Sequence, residues 1–510
     1  MKFNRAAGVL LHPTSLPGRF GIGDLGKEAY EFADFLKDSG MTLWQILPIG
    51  SPGNGELPYQ SYSVFGCNHY LISPEKLVEK EYLISEDLSD IPDFSETQID
   101  FGKTLEFKDK LFRKAFQNFL VKKECTVSDS YNDFCDVNKW WLNDYAFFMA
   151  LKETFGGKPW YGWPNELVHR EQNAMHEWGT KLCGEIAYHK FLQFEFFQEW
   201  NALKNYCNIN EIRIIGDIPI FVSHDSADVW SNPELFHLDG NGNATVVAGV
   251  PPDYFSATGQ RWGNPLYRWD IMEKDGYNWW GLRFKLLLKL VDIIRIDHFR
   301  GFVAYWEIPA NEDTAVNGNW VKGPGDKFFS ALCTKIVDPP IIAEDLGLIT
   351  PGVRALRNNF NFPGMKVLQF AFYDGANEYL PHNYEKNCVV YTGTHDNNTT
   401  LGWFNFKESD STQNSESEMK ARKFCLEYLN SDGKEIHWDL IRLAFSSVAD
   451  SAIVPMQDIL GLGSDARMNI PGTAHDNWRW RYNKKLITKQ ISERLLKYAK
   501  VFERIKILED

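Results

Sequence analysis

Short, almost unbroken apolar runs recur along this chain, and several of them end in charge. "IIGDIP" closes on Asp217, "VDIIRIDHFRG" on Arg295, Asp297, His298 and Arg300, "PPIIAEDLG" on Glu344 and Asp345, and "VVYTGTHDN" on His395 and Asp396. A strand of a parallel sheet is covered on both faces, so it reads as a continuous apolar run rather than an alternating one. Ionised groups are costly inside a protein unless they are paired or used. Apolar runs that end repeatedly in charge therefore point to parallel strands delivering polar groups to one rim.

Eight segments read as such strands. They are "AAGVLLHPTSL", "MTLWQILPIG", and the runs at 212–222, 291–297, 339–347, 365–372, 388–397 and 446–456. Helical patterns lie between several of them. In "KEAYEFADFLKDS", residues Ala29, Phe32, Ala33 and Leu36 share one helical face, and Gly40 follows as a stop. "NWWGLRFKLLLKLV" and "DKFFSALCTKIV" behave similarly. Eight strands with intervening helices suit a closed (β/α)8 TIM barrel. An open doubly wound sheet is the alternative, but no GxxxxGK[ST] is present to place a nucleotide on it. The expected organisation is a single catalytic barrel domain over 1–510. It carries a mostly helical insertion at 71–200 and a polar, partly helical surface insertion at 405–435. The final helix is expected to leave no room for a C-terminal β-sandwich.

Composition narrows the function. The chain has 510 residues, 44% of them hydrophobic, and a net charge of −14. That charge speaks against a nucleic-acid or membrane-surface partner. The 18 Trp and 36 Phe serve the core first, but a Trp surplus also suits stacking against sugar faces. The eight cysteines are scattered and form no CxxC, so reduced thiols are expected. The N-terminal apolar run is too short for a signal peptide, and no run of about 18 apolar residues would span a membrane. The expected location is the cytoplasm, or the plastid stroma for a plant chain.

Strand alternation puts Arg295 and Asp297 on one face, with Ile294 and Ile296 on the other. At the C-terminal end of a barrel strand, that pair lies where such barrels build their sites. Arg295 is expected to lower the pKa of Asp297 and keep it ionised, as a nucleophile requires. For this pair alone, a structural ion pair fits equally well. The recurrence at four strand ends changes the balance. Carboxyl groups so close resist ionising together, so one should stay protonated near neutrality. An acid beside a base is what glycosidic chemistry needs.

A metal site built from His224, His298 and His395 with Asp217 or Asp396 is the competing use. No HxH, HExxH or Cys–His cluster supports it. "DGNGN" at 239–243 lacks the glycine and the terminal Glu of a calcium loop and reads as a reverse turn. No GxSxG marks a serine nucleophile. Neither metal nor cofactor is expected.

These stretches, with "LLHPTSLPGRFGIGDLG", "LPYQSYSVFGCNHYLI", "IIGDIPIFVSHDSADVW", "GVPPDYFSATGQRWGNPLY", "YTGTHDNNTTLGW" and "RMNIPGTAHDNWRWR", resemble the 4-α-glucanotransferases of glycoside hydrolase family 77, in the α-amylase clan. The resemblance covers almost the whole chain. It implies that Asp297 is the nucleophile, Glu344 the general acid and then base, and Asp396 a stabiliser of the distorted transition state. It implies that Asp217, Arg295, His298 and His395 line the donor glucose site and that Tyr59 stacks on that sugar. Trp262 belongs to a cover loop at 249–265, whose Tyr254 and Phe255 would shield the glucan. Asn469 sits on an acceptor-side loop. The implied partners are maltooligosaccharides and α-1,4-glucans, with glucose as acceptor, and no organic cofactor. Asn54, Leu57 and Asn398 depart from common family residues, which bears on remote glucan contacts and on fine tuning. An α-glucan hydrolase and a non-catalytic glucan-binding protein are the competing functions.

Overall fold

The structure is a computed structural model. It describes residues 5–53, 57–125, 129–252, 256–373, 378–405, 415–473 and 475–505. Asn54, Tyr254 and Phe255 lie outside the described residues.

Each of the eight apolar runs supplies one strand of a parallel sheet. The strands are β1 (Ala6–Leu10), β2 (Leu43–Gln45), β3 (Arg213–Ile218), β4 (Ile293–Ile296), β5 (Ile341–Ala343), β6 (Gly364–Val367), β7 (Cys388–Tyr391) and β8 (Ser451–Pro455). Their order is β5-β4-β3-β2-β1-β8-β7-β6. The Ala343 N–H donates to the Pro363 carbonyl at 2.9 Å, bridging β5 to the start of β6 and closing the barrel. A (β/α)8 barrel is the result, not an open sheet. The strands are apolar because both faces are covered. Ile293, Ile294 and Ile296 are each fully buried, a contribution of about 1.5–3 kcal/mol per side chain. Gly8 allows β1 and β2 to close up, since a Cβ there would meet the Leu43 carbonyl oxygen at 2.3 Å.

The helix Lys27–Asp38 joins β1 to β2. Between β2 and β3 the described residues form six α-helices, the longest being Phe101–Cys125, Asp129–Thr154 and Cys183–Ile209. The last two pack face to face through aromatic pairs such as Trp141–Phe197 (ring centroids 5.9 Å) and Tyr131–Phe194 (5.3 Å). Cys183–Ile209 then returns to the barrel, where the Trp200 indole donates to the Leu290 carbonyl at 2.8 Å. Asn278–Leu290, Gly325–Lys335 and Pro351–Asn359 follow β3, β4 and β5 in turn.

Two elements are absent from the sequence expectation: a two-stranded antiparallel ribbon of Gly50–Pro52 and Ser61–Cys67, and a larger sheet. The larger one, a four-stranded antiparallel sheet ordered Asn319–Lys322, Ala304–Pro309, Val246–Val250 and Gln260–Pro265, stands beside the top of the barrel. Residues 249–265, expected as loop, thus begin and end in strand. Its "QRWGNP" strand combines exposed polar residues with Gly and Pro, which disfavours strands in a local reading.

The bottom of the barrel is sealed by an arginine. Arg504, 1% exposed, donates to the carbonyls of Ala6, Ala444, Phe445, Ser447 and Ala449 at 2.8–3.3 Å. Ala6 opens β1 and Ala449 precedes β8, so this one side chain ties the C-terminal segment to the strand entrances.

Candidate active site

The rim at the C-terminal ends of the strands gathers the charged residues. Asp217 near the end of β3 and Arg295 on β4 are register partners, so their side chains meet across the two strands. The pairing is bidentate. Arg295 Nε donates to Asp217 Oδ1 at 2.9 Å and Nη2 to Oδ2 at 2.6 Å. Nη2 also donates to Asp297 Oδ1 at 3.2 Å and to the Tyr59 hydroxyl oxygen at 3.4 Å. Tyr59 in turn donates to Asp217 Oδ2 at 2.6 Å and lies 2.9 Å from His395 Nε2. Asp217 and Arg295 are buried, whereas the Asp297 side chain keeps 32% of its surface accessible to solvent. Among the described residues, Asp297 Oδ2 has no hydrogen-bond partner.

Glu344 follows β5 and is oriented by backbone. Its Oε2 accepts from the His298 N–H at 2.7 Å and its Oε1 from the Leu346 N–H at 3.0 Å. His298 adopts a left-handed conformation, φ 51°. This turns the chain directly after Asp297 so that its amide reaches Glu344, and Asp297 and Glu344 come within electrostatic reach of each other. Trp262, from the strand Gln260–Pro265, sets its ring edge-on to His298 with centroids 4.9 Å apart.

The third carboxylate lies across the mouth. Asp396 Oδ1 accepts from Asn469 Nδ2 at 2.6 Å, and Asp396 Oδ2 is 3.3 Å from His395 Nε2. Arg467, which sequence reasoning did not single out, holds this corner. It donates to the Asp396 carbonyl at 2.6 Å and to the Asn469 carbonyl at 2.7 Å. Trp478 was missed too; its ring centroid lies 5.8 Å from those of both Tyr59 and His395. Both residues fall within the quoted stretch "RMNIPGTAHDNWRWR", the only signal available for them.

Two expectations are corrected. Asp345 was read with Glu344 as a rim carboxylate. It is turned away instead, accepting from Arg357 at 2.6 Å and from the Met365 N–H at 2.8 Å; adjacent strand residues face opposite sides. Arg295 was expected to lower the Asp297 pKa. Burial, reinforced by the Asp217, Glu344 and Asp396 charges, outweighs Arg295 and holds that carboxyl well above the usual range. Glu344 is pushed up to about 7, by burial first, against the opposing effects of Arg295 and the two amides. One guanidinium among four carboxyls cannot neutralise them all, so the pair Asp297–Glu344 retains a proton near neutrality.

The other residues named from sequence divide clearly. His224 stacks on Tyr161 (centroids 4.3 Å) and contacts the Gly242 carbonyl at 2.8 Å, away from the carboxylates. Among the described residues, no group of three or more His, Cys, Asp or Glu is arranged to hold a metal ion. In "DGNGN", Asp239 Oδ1 accepts from the Asn241 and Asn243 amides, as a turn does. Asn398 donates to Ser464 and caps its own neighbour's amide. Leu57 packs against the main core.

The comparisons with known proteins agree with this geometry. A family model described as 4-alpha-glucanotransferase, glycoside hydrolase family 77, matches residues 11–488. The chain is 51% identical over 484 residues to a 4-alpha-glucanotransferase of Synechocystis sp., covering 94% of each. It is 49% identical to a 4-alpha-glucanotransferase of Thermus thermophilus, covering 99% of this chain and 100% of that one. Among solved structures it resembles the amylomaltase of Streptococcus agalactiae in complex with acarbose. That match has a TM-score of 0.93 and 38% identity, covering 98% of this chain and 100% of the other. A chain with this barrel, this rim and these relatives belongs to the 4-alpha-glucanotransferase family, glycoside hydrolase family 77.

Proposed function

We propose that this protein is a retaining 4-α-glucanotransferase. It moves segments of α-1,4-glucan from a donor maltooligosaccharide to the 4-hydroxyl of glucose or a second glucan. The observation that carries the proposal is the arrangement of Asp297 and Glu344. One carboxylate is partly open to solvent and has an arginine on one of its oxygens. The second is oriented by two amides and has a pKa near 7. The direct Arg295 hydrogen bond favours the negative charge on Asp297, which leaves the shared proton to Glu344.

In the first step Asp297 attacks the anomeric carbon of the donor while Glu344 gives its proton to the departing 4-oxygen. The C–O bond breaks and a covalent glycosyl-enzyme forms. In the second step the Glu344 carboxylate takes the proton of an acceptor 4-hydroxyl as that oxygen attacks the same carbon and releases Asp297. Two inversions give net retention. Asp396, fixed by Asn469 and Arg467, stabilises the positive charge that develops on the sugar ring. Asp217, Arg295, Tyr59, His298 and His395 bind the donor glucose, and Trp262 packs over the glucan. Residues 249–265 cover the bound chain, Asn469 serves the acceptor, and the helices within 71–200 form an inserted subdomain. No step requires a cofactor.

The acarbose held by the Streptococcus agalactiae amylomaltase supports a glucan-shaped pocket in this relative as well. Among the described residues no helix is long and apolar enough to cross a membrane, and a cytoplasmic location is part of the proposal. Incubation with maltotriose alone is the test. A transferase yields glucose and a ladder of longer chains. Glucose and maltose without elongation would mean a hydrolase, and unchanged maltotriose a binding protein.

A further inference from the structure

A small cavity lies beside the rim near the tops of β1, β7 and β8, walled in part by His12, Ser15, His395, Thr399, Gln457 and Arg467. It has about 20 Å³ of free volume; on that scale one water needs roughly 10–15 Å³. Three side-chain atoms of its wall, His12 Nδ1, Ser15 Oγ and His395 Nδ1, have no hydrogen-bond partner among the described residues. Their residues are 4%, 0% and 7% exposed. An unmet buried polar group costs about 1–3 kcal/mol, so three around one cavity mark a built polar site.

Donor counting fixes the state of His395. Tyr59 has one hydroxyl proton, and at 2.6 Å it goes to the Asp217 carboxylate. The Tyr59 oxygen can then only accept from His395 Nε2, 2.9 Å away, and the carboxylate oxygen of Asp396 at 3.3 Å likewise accepts. Nε2 therefore carries the proton. Burial holds the ring neutral by lowering its pKa, against the pull of Asp396 and Asp217 and helped by Arg295. In that tautomer Nδ1 is an acceptor, left without a partner in a residue that lines the cavity.

We propose that the cavity holds one water that donates to His395 Nδ1, and that His12 and Ser15 are positioning residues that fix this water. The water's second hydrogen goes to His12 Nδ1, and its oxygen accepts from the Ser15 hydroxyl, so each of the three unpartnered atoms gains a partner. His12 is neutral as this requires, since burial, aided by His395, pushes it down to about 3. Asp458 also lines the cavity, but its oxygens are taken by the Thr392 hydroxyl (2.5 Å) and the Thr400 amide (2.6 Å). Without the water the His395 proton could move to Nδ1. Nε2 would then set a lone pair against Asp396 and Tyr59, and the contacts running to Asp217 and Arg295 would shift. The inference rests on the placement of His395 in the donor-sugar site.

Nitrogen NMR of the full-length protein with ¹⁵N-labelled histidine tests it, with His395→Gln used only to identify the His395 signals. The expected wild-type result is a neutral His395 protonated on Nε2. His12→Phe fills the cavity; it should give a mixture of tautomers and about tenfold lower turnover of maltotriose with KM changed less than about twofold. His12→Asn, which can still hold a water, should restore most of both. A wild-type His395 protonated on Nδ1 overturns the proposal even if every variant misfolds. So does a folded His12→Phe with unchanged tautomer and turnover. Wild-type disproportionation of maltotriose is scored alongside. Its absence would remove the transferase reading and leave the tautomer result standing.

Discussion

The barrel has a buried arginine at each end, and the two are satisfied in opposite ways. Arg504 at the bottom, 1% exposed, meets five backbone carbonyls and, among the described residues, forms no carboxylate pair. Burial pushes its pKa down to about 9. Arg295 at the top, 3% exposed, meets Asp217, Asp297 and Tyr59. Burial pulls it down as well, but Asp217, Tyr59 and Asp297 more than reverse that. One end spends its cation on neutral dipoles that join chain segments. The other surrounds its cation with more carboxyls than it can neutralise, and leaves Asp297 and Asp396 partly open to solvent. Burial alone therefore does not distinguish a structural charge from a reactive one; the unmatched remainder of charge does. Barrels in general place stability at the bottom face and chemistry at the top.

Separating the two ends by mutation breaks or sharpens this comparison. The largest effect is expected for Asp297→Ala at the top. Turnover should fall by roughly 10³-fold or more with the melting temperature nearly unchanged. A well-folded variant with near-normal turnover would remove Asp297 as nucleophile. At the bottom, Arg504→Met strands five carbonyls and should cost about 3 kcal/mol or more of stability. Turnover per folded molecule should stay within about twofold. Denaturant unfolding and activity, measured on one preparation, check both halves, and a stable but inactive Arg504→Met would erase the contrast. The smallest effect is a pH limb. Glu344 has a raised pKa, so its proton is held below about pH 7 and lost as pH rises through that value. Its acid step should then slow about tenfold per unit above that value. A rate profile flat to pH 9 would show that Glu344 is not the acid.

How much of this was legible in the sequence follows from the same physics. The eight strands were readable because double-sided burial demands continuous apolar runs, as in "VDIIRID". Asp217, Arg295, Asp297 and Glu344 were readable because strand periodicity fixes their placement at the rim. The antiparallel sheet was not, since its "QRWGNP" strand is half exposed and carries Gly and Pro. Arg467 was hidden because its contact is to the Asp396 main-chain carbonyl, 71 residues away, and no side-chain pattern announces such a bond. The direction of the Asp297 pKa was misjudged for a related reason. A local reading sees the neighbouring Arg295, but the burial and the carboxylates that oppose it arrive from other strands.

The central claim is a covalent glycosyl-enzyme on Asp297. Glu344→Gln has no base for the second step, and α-maltosyl fluoride has a leaving group that needs no acid for the first. Mixing the two and digesting the quenched protein for peptide mass spectrometry tests the claim directly. The expected result is a peptide containing Asp297 that carries one maltosyl group and loses it when an acceptor sugar is added before quenching. Fluoride release without any adduct, or an adduct on another residue, would contradict the account.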